Sequence, residues 1–135
     1  MSNALYDKGR EAFLNGQISW GNDNIKVCLV DTNDYTVNLS THDFLDDIPS
    51  TAIVATSPAL SSKTYAAGVA DAADVTFSSV TGDVSEALVI YQDTGTASTS
   101  RLIAYIDTAT GLPVTPNGGD IVVQWDNGAN RIFKL

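Results

Sequence analysis

Hydrophobic and polar positions along this chain change their period once. Residues 4–16 (ALYDKGREAFLNG) place Leu5, Ala12 and Phe13 at i, i+7 and i+8, with Lys8, Arg10 and Glu11 to the other side. That spacing predicts one short N-terminal helix, stopped at Asn15-Gly16, where both residues tolerate a left-handed cap. Gly9 lies inside it and weakens it by up to about 1 kcal/mol relative to alanine. From residue 18 onward the pattern is that of strands. Ile18 and Trp20 alternate with Ser19, residues 21–24 (GNDN) form a turn, and residues 25–31 (IKVCLVD) are a continuous apolar run. Together they read as a hairpin.

A second turn follows at Thr32 to Thr36. Ser40 or Thr41 can then cap a short helical turn over residues 43–48, with Asp43 at its positive end and Pro49 closing it. Strands are predicted at 51–57, 63–67 and 74–80, and the Ala-rich stretch 66–74 reads as either loop or short helix. The last fifty residues run strand, turn, strand, loop, strand, turn, strand: 85–93 (SEALVIYQD), 101–107 (RLIAYID), 121–126 (IVVQWD) and 131–135 (RIFKL). Strict alternation puts Ala87, Val89 and Tyr91 opposite Leu88 and Ile90, and Leu102, Ala104 and Ile106 opposite Ile103 and Tyr105. Both faces are apolar, so both need cover. In 121–126 the apolar face is Ile121, Val123 and Trp125. Residues 94–100 (TGTASTS), small and polar, suit an exposed, mobile hairpin loop. Asn127-Gly128 supplies positive φ for the final turn. Three strands end alike, at Val30-Asp31-Thr32, Gln92-Asp93-Thr94 and Ile106-Asp107-Thr108, as expected if each Asp accepts backbone amides where the chain leaves the sheet. The fold class is therefore mainly β: one antiparallel β-sandwich or barrel-like domain over residues 1–135, with a single short N-terminal α-helix.

Composition supports this reading. Fourteen of the sixteen acidic residues are Asp, which favours turns; only Glu11 and Glu86 are Glu. With 44% hydrophobic residues and a mean hydropathy of +0.02, the chain is expected to be globular. Seven scattered Lys and Arg give a net charge of −9 and no basic face, so neither nucleic acid nor an anionic membrane is an expected partner. No apolar run reaches the roughly 20 residues of a membrane span. The start carries Asp7, Lys8, Arg10 and Glu11 where a signal peptide would be apolar, which predicts a protein kept in a cytoplasm or in a particle assembled there. A lone Cys28 excludes an intrachain disulfide.

Candidate chemistry is sparse. His42 is the only histidine, and Asp43 beside it could orient it as a base, but no nucleophile elbow accompanies them. His42 is expected in a surface or capping role. Cys28, among Val27, Leu29 and Val30, reads as a buried structural thiol. Two potential zinc ligands in all do not make a zinc site. Asp31 with Asp34, Asp46 with Asp47, and Asp71 with Asp74 invite calcium, yet none follows an EF-hand pattern, and solvated or capping Asp is the better reading. So many Asp make any carboxylate pair uninformative for glycoside hydrolysis. Asn117-Gly118-Gly119-Asp120 precedes a strand and reads as a turn, not a phosphate cradle. Trp20, Trp125 and the five Tyr could build a sugar platform, but their alternating positions favour the core. No catalytic, cofactor-binding or metal residue is assigned, and no cofactor is expected.

Three segments carry a family likeness: residues 4–31, with a short helix, an I-x-W strand and IKV-x-LVD; residues 41–64 (THDFLDDIPSTAIVATSPALSSKT); and residues 108–135 (TATGLPVTPNGGDIVVQWDNGANRIFKL). Together they resemble a group of small virion structural proteins of tailed bacteriophages. The resemblance implies a non-enzymatic protein of the virion, assembled in the host cytoplasm, and within that group a capsid decoration (cement) protein. It implies contact with the major capsid protein or other virion proteins, and a small homo-oligomer. The alternative is a tail, fibre or baseplate component, or a glycan-binding adhesion module.

Overall fold

The three longest apolar runs of the chain lie side by side. In a computed structural model that describes residues 3–125, 128 and 131–134, they form β2 (Ile25–Val30), β6 (Ala87–Gln92) and β7 (Leu102–Ile106), the centre of a five-stranded antiparallel sheet. The edges are β1 (Ala4–Leu5), beside β7, and β3 (Ile53–Thr56), beside β2. The protein is thus mainly β, with one helix, α1 (Asp7–Leu14), of more than a turn or two. The barrel does not close: the sheet keeps two edges. No second sheet of a sandwich is formed among the described residues; instead two separate two-stranded ribbons pack Ala70, Val75 and Phe77 into one core. They pair β4 (Val69–Ala70) with β9 (Phe133–Lys134), and β5 (Val75–Phe77) with β8 (Ile121–Val123).

The central strands are covered on both faces, as their composition requires. On one face Val27, Leu29, Leu88, Ile90 and Ile103 pack with Ala12, Trp20, Phe77 and Trp125. On the other, Cys28, Val30, Val89, Tyr91, Leu102 and Tyr105 pack with Tyr6, Tyr35, Ile48 and Ala52. Each fully buried aliphatic side chain contributes about 1.5–3 kcal/mol, so neither face can be left to solvent. The ribbons obey the same rule. Val75 and Phe77 are buried while Thr76 is exposed, and across from them Val122 is exposed while Ile121 and Val123 are half-buried.

Alternation holds in β6 as predicted and fails in β7. Ile90 pairs with Ala104 and Tyr91 with Leu102, so Ile103 is an extra residue between them. This bulge places Leu102 and Tyr105 on one face, and Ile103 and Ala104 on the other. One inserted residue reverses the sides of all that follow.

The bulge explains the N-terminus. Residues 4 and 5 pair with Tyr105 and Ala104 as a strand instead of beginning the helix, and the Tyr6 amide bonds to the Ile103 carbonyl at 2.9 Å. The helix therefore starts at Asp7, three residues later than the apolar spacing predicts. It ends where expected, with Gly16 at φ 82°. Gly9 is the contact point. A Cβ there would stand 2.5 Å from the Leu102 carbonyl oxygen and 3.1 Å from Ile103 Cα. The glycine that weakens the helix lets it lie on the bulge.

Other expectations change in detail. Residues 18–20 form no strand, so the predicted hairpin with β2 is absent. The Asp23 carboxylate accepts the Ser19 amide at 2.8 Å and closes a turn, while Ile18 and Trp20 still bury in the core. The helical turn over 43–48 is a single 3-10 turn at Leu45–Asp47. The capping oxygen comes from Asp47, which accepts the amides of Asp43 and Phe44, and not from Ser40 or Thr41. Residues 63–67 form no strand, only a bridge from Thr64 to Asp71 and a 3-10 turn at Ala66–Gly68. The loop at 94–100 is exposed except at Ser100, and is braced internally: Thr94 and Thr99 hydroxyls meet at 2.6 Å and the Ser100 hydroxyl donates to the Thr96 carbonyl at 2.8 Å. Asn127 of the predicted final turn, and the chain end at Leu135, lie outside the described residues.

Gly9→Ala is expected to destabilise the fold by about 1–3 kcal/mol, because overpacking against rigid backbone outweighs the gain of up to about 1 kcal/mol in helix propensity. Urea unfolding of the two proteins measures this; a stabilised variant would show that α1 does not sit on the β7 bulge.

Candidate functional site

His42 is half-buried at the end of a hydrogen-bonded chain that crosses one of the two cores. The Asn38 amide donates to its Nδ1 at 3.3 Å, so Nδ1 is the acceptor in that bond. The Tyr35 hydroxyl then donates to the same Nδ1 at 2.8 Å, and the Tyr6 hydroxyl donates to the Tyr35 oxygen at 2.9 Å. Tyr6 has no exposed surface and Tyr35 almost none. Burial pushes the Tyr6 hydroxyl far above its ordinary range, and pushes Tyr35 up to about 12 against the opposing bond from Tyr6. Both phenols stay protonated near neutrality. Among the described residues the imidazole Nδ1 meets Tyr35 and Asn38, whereas Asp43, the partner that sequence suggested, accepts the Leu102 amide on its carbonyl at 2.9 Å. The basic nitrogen of His42 thus receives two donors that hold residues 35–42 over the sheet. Sequence spacing could not reveal this, since Tyr6 lies 29 residues before Tyr35.

The other reactive group is more enclosed. Cys28 is buried in the same core, and burial pushes its thiol up to about 12, leaving a negligible thiolate fraction at neutral pH.

The acidic pairs separate into three outcomes. Asp31 and Asp34 do come together, and Asp83 joins them: one carboxylate oxygen from each lies within 4.8 Å of the others. Three hard oxygen donors fall short of the six to eight that calcium takes. Asp31 is buried and already accepts the Asn33 amide at 2.9 Å, the turn role predicted for it. Asp93 does the same for Gly95 at 3.0 Å, whereas Asp107 receives the Thr108 hydroxyl at 3.1 Å and Asn3 takes the two local amides. Asp47 is a cap. Burial would raise its carboxyl, but the amides of Asp43 and Phe44 hold it below the usual carboxylate range. Asp71 and Asp74 serve the tryptophans. Trp20 donates its indole N–H to the Asp71 carbonyl at 3.2 Å, Trp125 donates to the Ala73 carbonyl at 3.1 Å, and Asp74 accepts the Trp125 amide at 3.0 Å. Two indoles from distant parts of the chain clamp one segment. Trp20 and Trp125 are core residues, 6% and 8% exposed, and not a sugar platform.

A cleft of about 670 Å³ opens between the main sheet and the 108–114 segment. Leu29, Leu88, Ile106, Ile121 and Val123 line it, with Arg131 the one ionisable side chain among its described lining residues. No helix among the described residues is long and apolar enough to cross a membrane. No family model and no curated protein matches the sequence.

Two measurements test these roles. Tyr35→Phe removes the central hydroxyl and strands that of Tyr6, so it is expected to cost about 1–3 kcal/mol in urea unfolding; a loss below about 0.5 kcal/mol would mean the chain does not brace the core. Asp93 is held below its ordinary 3.8 first by the Lys26 ammonium, 2.9 Å away, and then by the Gly95 amide. Its contribution is present above the unfolded value near 4 and is lost as pH falls through the depressed folded value. Asp93→Asn should therefore be less stable at pH 7, by up to about 1 kcal/mol, with the difference vanishing toward pH 2.

Proposed function

We propose that this chain is a non-enzymatic structural protein of a tailed-bacteriophage virion, a capsid decoration (cement) protein bound to the outer shell. The observation that carries the reading is how the reactive side chains are spent. The imidazole nitrogen of His42, the Cys28 thiol and both indole N–H groups all serve the cores. What remains to act is surface. That surface carries the charge of −9, which suits the outside of a capsid better than its DNA-lined interior. It also includes an outer strand, β3, whose free side can accept a strand from a partner. The likeness of residues 4–31, 41–64 and 108–135 to phage virion proteins points the same way. The partners in this reading are the major capsid protein or other virion proteins, and further copies of the chain.

Mass spectrometry of purified particles, followed by image reconstruction, tests it. Stoichiometric copies on the capsid faces, and a shell that loses stability without them, are expected. Copies confined to the tail or fibres would move the assignment there, and absence from washed virions would overturn it.

A further inference from the structure

Helix α1 ends in Leu14, which at 89% exposed is the most exposed large apolar side chain among the described residues. One residue earlier, Phe13 forms part of the wall of a cavity of about 260 Å³. Trp20, Tyr65 and Phe133 contribute the other rings. Phe133 lies edge-on to Trp20 at 5.3 Å and 6.0 Å from Phe13. Tyr65, 68% exposed, leans on Gly21, where an added Cβ would stand 2.8 Å from its ring. An exposed apolar knob and an aromatic hole thus adjoin in the same molecule.

That adjacency is what a two-fold interface needs, since a two-fold axis brings each copy's knob to the other's hole. Charge favours the same occupant. A second copy is repelled by most of a chain of net charge −9. Helix α1 is different: Asp7 pairs with Arg10 and Lys8 with Glu11, each at 3.1 Å, so its four charges cancel. Lys63, two residues from Tyr65, reaches the Asp23 carbonyl beside the cavity and adds a positive group there. Aromatic side chains in a pocket ringed by such neutral or mixed charge are the usual energetic centre of an interface.

We propose that this face is a self-association surface: two copies pack isologously, Leu14 of each seated in the cavity that Phe13, Trp20, Tyr65 and Phe133 form in the other. The proposal rests on this geometry and stands or falls apart from the virion reading.

Sedimentation velocity on the full chain, from about 1 µM to about 1 mM, reads it directly. The unmodified protein is expected to form a dimer. Leu14→Asp is expected to weaken it about a hundredfold, roughly tenfold for each of the two symmetric knobs, with an unchanged urea midpoint at low concentration because Leu14 is exposed in the monomer. Tyr65→Ala, which opens the wall of the hole at another exposed position, should shift the equilibrium the same way. A chain that stays monomeric throughout the range overturns the proposal, as does a dimer that either variant leaves unchanged. A trimer or larger ring overturns the two-fold arrangement.

Discussion

Everything in this fold follows from one constraint: β2, β6 and β7 are apolar on both faces. A strand with one polar face can leave that face wet, but these cannot, and the sheet has to be covered twice. Ala12, Trp20, Phe77 and Trp125 supply one cover, and Tyr6, Tyr35, Ile48 and Ala52 the other. The N-terminal segment serves both, since Leu5 belongs to the first core and Tyr6 to the second. Tyr6 continues the extended backbone of β1 at φ −69° and ψ 138°, and successive side chains of an extended chain point to opposite faces. The bulge at Ile103 then sets where helix α1 can rest, and Gly9 sets how closely.

The same demand accounts for the residues that seemed capable of chemistry. Covering a sheet with turns and short segments brings polar backbone and hydroxyl groups against an apolar surface, where each needs a partner. Tyr6, Tyr35 and His42 satisfy one another on one side. On the other, the indoles of Trp20 and Trp125 bond to the Asp71 and Ala73 carbonyls, and just past β3 the Ser57 hydroxyl accepts the Val27 amide at 2.9 Å. Such networks hold a cover in one position where apolar packing alone would permit several. With these groups committed inward, what faces outward among the described residues includes most of the acidic charge, the outer edge of β3, and Leu14.

The strongly periodic segments were the most legible. Residues 25–30 and 87–92 are strands close to where the pattern put them, the buried thiol of Cys28 was readable from its flanks, and the Asp turns after β2 and β6 were readable from composition. Less legible were segments whose pairing partner lies far away in the chain. Residues 66–74 looked like loop or helix because β4 is two residues long and exists only through its pairing with β9, more than sixty positions later. Trp20 looked like part of a hairpin because its alternation with Ile18 mimics a strand, while its actual role is to bury and to hold Asp71. Asp83 was not foreseen beside Asp31 and Asp34, since nothing local links a turn at 83 to one at 31.

By itself, then, the sequence determined which residues must be buried, which stretches are extended, and that one helix precedes them, because these depend on local period and side-chain character. Only the tertiary structure decided which face each residue of β7 takes, where the helix begins, and which polar groups meet. Those outcomes depend on one extra residue at Ile103 and on contacts between positions far apart in the chain, and a one-residue shift in register exchanges the two faces of a strand without altering its hydrophobic pattern.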